Sequence, residues 1–244
     1  MDRTDRSDQS DLLDMTDICQ LSLSRGRSMA MYMITEQKPL DEVLRQMERE
    51  QAIYVLGCGT CPAACHTGGK PEVQDMAERL SQAGKTVSGW MVAPTACDDS
   101  TGQALRREAA VLGQADCVLV MACGYGVQTV VRHTDMPVYP ALNTLFLGRE
   151  GAPREFVELC LQCGSCLLGL TAGVCPITAC AKSLVNGPCG GYRDGKCEVH
   201  PQRDCAWSLI YRRLEALGQK EKLRSIPYLK DHSKFCHPRH VTLG

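Results

Sequence analysis

Aromatic side chains are scarce in this chain. Phe, Trp and Tyr make up 5% of its 244 residues, with three Phe and two Trp. Large rings are a major source of core burial, so any small segment of this protein needs another way to hold itself together. Long apolar runs are missing too. No stretch approaches the roughly 18–20 apolar residues of a membrane span, and no membrane insertion is expected. Residues 1–28 carry Asp2, Arg3, Asp5, Arg6, Asp8, Asp11, Asp14 and Asp17 without an apolar segment of export length. That argues against secretion and therefore against disulfides, and a cytoplasmic protein with reduced thiols is the expectation. Neither sign of charge dominates: 27 Lys and Arg stand against 28 Asp and Glu, a net charge of −1. Nucleic acid is not indicated as a partner. No G-x-G-x-x-G fingerprint follows a strand-like run, which leaves no sign of a dinucleotide cradle.

Cysteine, by contrast, is abundant, with 16 in the chain. Eight of them fall between Cys160 and Cys205, in the run C-L-Q-C-G-S-C-x8-C-P-I-T-A-C-x8-C-x7-C-x7-C. Packing does not call for such density. Cys160, Cys163 and Cys166 repeat as C-x2-C-x2-C, and Pro176 follows Cys175. This is close to a bacterial ferredoxin run, although the last gap is longer than the ferredoxin one. Cys160, Cys163, Cys166, Cys175, Cys180, Cys189, Cys197 and Cys205 are the expected metal ligands, enough for two four-thiolate centres. Spacing does not partition them, because ferredoxin-like runs often send their last cysteine to the other cluster. Glycines 164, 169, 173, 187, 190 and 191 free backbone amides to donate to the sulfurs. Iron–sulfur clusters are expected, and zinc in place of one of them stays open, since four thiolates also suit tetrahedral zinc.

Upstream, the pattern is that of an α/β domain. Residues 1–32 read as a charged, disordered leader, with alternative starts at Met29, Met31 and Met33. A short amphipathic helix follows through Leu40, Val43, Leu44 and Met47. Apolar runs at Ile53–Gly57, Thr86–Ala93, Cys117–Met121 and Pro137–Pro140 read as strands. Helical periodicity lies between them, through Val73, Met76, Ala77 and Leu80 and then through Leu105, Ala109 and Leu112. Gly84 and Gly113 close those two helices. Alternation of this kind predicts a small, doubly wound parallel sheet over 33–149. Gly148–Pro153 reads as the linker to a metal-stapled, cysteine-rich domain over 150–218. A helix from Ala206, with Trp207, Ile210, Tyr211, Leu214 and Leu217 on one face, ends that domain at Gly218. The tail, 219–244, is basic and reads as a solvated charge run.

A second group of thiols sits in the loop G-C-G-T-C-P-A-A-C-H-T-G-G. Cys58, Cys61 and Cys65 fall just after the first strand of the sheet. Three cysteines in a glycine-rich loop do not pack a core, and the third argues against a simple redox dithiol and leaves one ligand to find. In an open parallel sheet the loops after the strands gather at one edge, where ligands bind. Cys97 follows the second strand and Cys123 the third, so either can supply a fourth ligand. Cys123 is preferred, because flanking glycines allow close approach and a helix N-terminus follows. Cys117 lies within a strand and reads as a small core residue; Cys19 and Cys236 read as free thiols, and His66 as a solvated loop histidine. In all, two to three 4Fe–4S clusters are expected.

The core N-G-P-C-G-G-x4-G-x-C-E-V at Asn186–Val199, together with D-C-A-W at Asp204–Trp207, resembles the MetV family, the cysteine-rich partner subunits of methylenetetrahydrofolate reductase. P-A-L-N-T-L-F-L-G at Pro140–Gly148 and the Cys58–Cys65 loop are similar to the first domain of the same family, so the resemblance covers about residues 34–230. It implies an iron–sulfur subunit that takes electrons from a redox donor protein. The electrons pass to a flavin-containing subunit, MetF, which reduces 5,10-methylenetetrahydrofolate to 5-methyltetrahydrofolate. This chain has no room for that subunit's barrel, typically about 250 residues, and catalysis at folate is not expected here. Two rivals remain: a zinc-stapled adaptor that only docks the flavoprotein, and a redox sensor using exposed thiols.

Overall fold

The computed structural model describes residues 31–224 and 229–242, which form two compact units that divide between Val157 and Glu158. Residues 1–30 of the expected leader, Cys19 among them, lie outside the described residues, and its last residue, Tyr32, opens a strand.

The first unit is built on a parallel sheet. β1 (Tyr32–Gln37) precedes a short helix, α1 (Leu40–Gln46). β2 (Ala52–Cys58), β3 (Thr86–Ala93), β4 (Cys117–Met121) and β5 (Val138–Pro140) then form one parallel sheet in the order β3-β2-β4-β5. Alternate residues of β2 and β4 feed opposite faces. Ile53, Val55, Leu119 and Met121 pack with Val43, Met47, Val73, Met76 and Leu80. Tyr54, Leu56, Val118 and Val120 pack with Leu105, Leu112 and Val130 on the other side. Burial on both faces is why these strands read as near-continuous apolar runs, and the expected doubly wound α/β architecture is present.

The covering helices are α2 (Cys61–Ala64), α3 (Lys70–Gln82), α4 (Ser100–Arg107), α5 (Ala109–Leu112) and α6 (Gly124–Val131). Gly84, at φ +84°, lies just beyond α3, where its left-handed backbone turns the chain into β3. The single helix expected across Leu105–Leu112 is instead two. Glu108, whose side chain faces the Tyr54 hydroxyl at 3.4 Å, leaves helical torsions between α4 and α5.

Periodicity alone did not disclose a second, antiparallel sheet. β6 (Leu142–Ala152) pairs with β1 on one side and β7 (Glu155–Val157) on the other. Residues 148–152, expected in a linker, are therefore strand. Gly148 pairs with Tyr32, and a Cβ there would meet the Val157 carbonyl at 2.6 Å. Close strand packing accounts for this glycine, and the unit boundary falls later than the expected 149/150.

The second unit has little regular structure: a one-turn helix α7 (Pro176–Ala179), the longer α8 (Ala206–Ala216) and two short 3-10 turns. Its buried apolar cluster is Cys205, Trp207, Ile210 and Leu214, with Ala172 and Val174 against it. So small a core leaves most of the unit's order to other interactions. Trp207 gives its indole N–H to the Leu184 carbonyl at 2.8 Å, pinning the loop before Asn186 to α8. Gly218, at φ +66°, follows the helix as expected.

Candidate metal centres

Cys58 is the last residue of β2, Cys97 lies in the loop after β3, and Cys123 precedes α6 directly after β4. Because β2 is flanked by β3 on one side and β4 on the other, successive connections leave it in opposite directions. A crevice opens at such a switch point, outside the C-terminal strand ends. Cys58 and Cys123 are buried there, while Cys97 is exposed at the rim. Burial pushes the Cys97 thiol up, and the neighbouring charges of Cys123, Cys58 and Cys61 push it further. The Ala96 N–H donates to Cys58 Sγ at 3.4 Å, and the Thr60 hydroxyl stands 3.2 Å from the same sulfur.

Cys65 is placed differently. It caps the end of α2, and its thiol faces the Met33 carbonyl on β1 at 3.9 Å. Burial raises it, contacts with Thr35 lower it, and the charges of Cys61 and Glu150 raise it further. β1 also braces this loop from behind. The buried Thr35 and Thr67 hydroxyls meet at 2.6 Å, and Gln37 donates to the Thr67 carbonyl at 3.0 Å. At Gly68 a Cβ would lie 2.1 Å from the Met121 carbonyl, so only glycine lets the loop lie against the end of β4. Sequence reasoning missed this bracing, although the closing Gly68–Gly69 pair was a signal for it. Cys117 is fully buried beside Met47, and its thiol is pushed up to about 12 by burial, as suits a core residue.

In the second unit, Cys160, Cys163 and Cys166 lie on an open loop in which Gln162 and Gly164 have positive φ. The Gln162 N–H donates to Cys160 Sγ at 3.4 Å. Cys175 begins α7, and Thr178 on that helix donates to the Leu159 carbonyl at 3.2 Å, tying α7 to the start of the run. The tail is not simply solvated. Lys230 places its ammonium 3.0 Å from Cys163 Sγ and 2.5 Å from the Ser165 carbonyl, and Arg239 donates to the Gln162 carbonyl at 2.6 Å. A Cβ on Gly164 would meet Lys234 Cβ at 2.8 Å, so this glycine admits the tail. Partial burial pushes the Cys163 thiol up, but the hydrogen bond and charge of Lys230 together with backbone hydrogen bonds at Ser165 and Cys163 outweigh it and hold the thiol below its ordinary value. Basic charge settles on this loop because polarisable sulfur and bare carbonyls offer it acceptors.

Cys180, Cys189, Cys197 and Cys205 line one small cavity beside α8. Among the described residues, no three or more His, Cys, Asp or Glu side chains stand in a metal-binding arrangement. The thiols are gathered by strand ends and loops without being closed to coordination distance. The donor chemistry nonetheless fits thiolate-bound metal: soft sulfur ligands, with amide, hydroxyl and ammonium donors aimed at several of them. His66, at φ +54°, sits in the thiol loop, and Cys236 is exposed in the tail.

The two units thus define a class: an α/β domain with thiols at its sheet edge, followed by a cysteine-rich domain with too small a core of its own. Residues 139–233 match the family described as methylene-tetrahydrofolate reductase C terminal. The match suggests an association with methylenetetrahydrofolate reductase. No curated protein matches the chain, and no solved structure does. Among the described residues no helix is long and apolar enough to cross a membrane.

Proposed function

We propose that this chain is an iron–sulfur electron-transfer subunit working in the cytoplasm. It takes electrons from a redox donor protein and feeds them to the flavin subunit, MetF, of a methylenetetrahydrofolate reductase complex. Reduction of 5,10-methylenetetrahydrofolate to 5-methyltetrahydrofolate then takes place on that partner. The observation that carries the reading is the placement of Cys58, Cys97 and Cys123 at or after the ends of the central parallel strands, around the switch point and beside the Cys61 loop, in a chain whose residues 139–233 match the reductase family. Cys65 faces β1 and is left out of this set. The Cys160, Cys163 and Cys166 loop, with Cys175, supplies a second thiolate set.

A thiolate-bound iron–sulfur cluster supplies a one-electron carrier. The chain's own residues do the rest. Burial of Cys58 and Cys123 keeps water from the inner side of the first set. The Ala96 and Gln162 amides and the Lys230 ammonium donate to sulfur, and such contacts stabilise added negative charge and so raise a reduction potential.

The partner has a candidate seat. A cavity of about 740 Å³ opens along α8, lined by Leu170, Pro188, Tyr192, Trp207, Tyr211 and Leu223 among others, and all of its lining falls within the family-matched segment. Tyr192 and Tyr211 are each more than 40% exposed, and tyrosines in such positions are common anchors at interfaces. We assign this groove to the flavin subunit.

The rival is a zinc-stapled adaptor that docks the flavoprotein and carries no electrons; the small size of the cavity between Cys180 and Cys205 favours zinc at that one place. Anaerobic purification of the full chain separates the readings. The relay requires brown protein with stoichiometric iron and sulfide and an electron paramagnetic resonance signal on reduction. Colourless protein containing only zinc would establish the adaptor.

A further inference from the structure

Cys180 ends α7 and Cys205 begins α8, while Cys189 and Cys197 come from the irregular chain between them. The backbone draws these four together. The Cys197 N–H donates to the Arg203 carbonyl at 3.0 Å, the Cys205 N–H donates to the Gly195 carbonyl at 2.6 Å, and Lys196 bridges to both Arg193 and Asp204. Glu198 folds back so that its carboxylate lies 3.3 Å from Cys189 Sγ and 2.6 Å from the Lys182 ammonium. Gly191 makes room for it: a Cβ there would lie 2.1 Å from Glu198 Oε2.

The cavity these four cysteines line is about 20 Å³. That is room for about one water-sized particle, whose probe volume is of the order of 10–15 Å³. A 4Fe–4S cluster brings four irons and four sulfides and needs several times as much. Water itself is poorly served here, because thiols are weak hydrogen-bond partners. A single soft divalent ion fits both the volume and the donors. The other thiolate set has the same donors but is not confined in this way, because Cys160 and Cys166 are exposed on an open loop.

We propose that Cys180, Cys189, Cys197 and Cys205 hold one zinc ion as a mononuclear structural centre, separate from the set formed by Cys160, Cys163, Cys166 and Cys175. Binding releases the four thiol protons to solvent and leaves a centre of net charge −2, with no electron gained or lost. Lys182, Lys196 and Arg212 stand beside it, paired to Glu198 and Asp204, and their one surplus positive charge offsets part of its charge. Closed four-thiolate zinc fastens chain segments and does not turn over. Here it joins α7, the Asn186–Val199 segment and the start of α8, where apolar burial is slight. This assignment is independent of the relay reading.

The test is made on the full chain purified without oxygen. Zinc X-ray absorption should show four sulfur neighbours at about 2.3 Å, with about one zinc per chain. Cys189→Ser and Cys197→Ser should each lose the zinc and keep the iron and sulfide, whereas Cys163→Ser should lose iron and keep the zinc. Loss of iron and sulfide from Cys189→Ser, or nitrogen and oxygen neighbours around the zinc, would overturn the proposal. The absorption spectrum of the unaltered chain decides the matter even if the serine variants fail to fold. A chain with four-sulfur zinc and no iron would sink the relay and leave this centre standing.

Discussion

At the scale of single residues, the account turns on which thiols face the crevice. Cys123 follows β4 and Cys58 ends β2, on neighbouring parallel strands, whereas Cys65 faces β1. Cys123→Ser is therefore expected to lose the first unit's iron and sulfide after anaerobic reconstitution. Cys65→Ser and Cys117→Ser should retain both; iron loss from Cys65→Ser with retention in Cys123→Ser would reverse the assignment. A second expectation concerns acid. Asp116 accepts hydrogen bonds from the Ala52 and Gln51 N–H groups, both at 2.7 Å, and these hold its carboxyl below the ordinary carboxylate range. A depressed folded value means the ionised form favours the fold. Its contribution is present above the unfolded value of about 3.9 and is lost as pH falls through the folded value. The melting temperature of Asp116→Asn should thus fall less than that of the unaltered chain as pH is lowered through this range. An identical fall in both proteins would show that the contact is not linked to folding. The thiols themselves were legible in the sequence, because three cysteines in a glycine-rich loop have no packing role. The turn of Cys65 toward β1 was not, because it depends on a partner strand distant in sequence.

Elements were legible where apolar periodicity was strong. The four parallel strands stand out because they are buried on both faces, and α3 and α8 because each has one apolar face. β1 and β6 escaped notice because they pair antiparallel across more than a hundred residues and alternate poorly, with a register shift between Ile34 and Thr35. Glycine had two meanings that sequence does not separate: Gly148 suggested a linker but serves close strand packing. Gly68 gives the direct test of loop bracing. Gly68→Ala must move the thiol loop or β4 and is expected to cost about 1–3 kcal/mol, as overpacking does. Gly169→Ala, with nothing within 4 Å of its Cβ position, should be close to neutral in the same thermal melts. Equal melting temperatures for the two variants would contradict the bracing. The tail offers a further test through Lys230 and Arg239, which bind the Cys160–Cys166 loop. Lys230→Gln should let a chelator strip metal from that loop several-fold faster, while Lys230→Arg should resemble the unaltered chain. An unchanged rate for Lys230→Gln would mean that the tail does not guard the loop.

At the scale of the whole molecule, the chain gathers thiols in both units, while its aromatic groove lies in the family-matched segment. That division suits a carrier whose catalytic partner is another protein. Tyr211→Ala should weaken the complex with the flavin subunit, by about tenfold or more if its side chain is an anchor, without changing the metal content. The most direct test of the central claim is to mix the anaerobically reduced chain with purified flavin subunit and follow the flavin absorbance. The account predicts that the flavin bleaches as the chain is oxidised, and that methylenetetrahydrofolate is then reduced by the pair but not by this chain alone. A flavin that stays oxidised within a demonstrably formed complex, or folate reduction by the chain unaided, would contradict it.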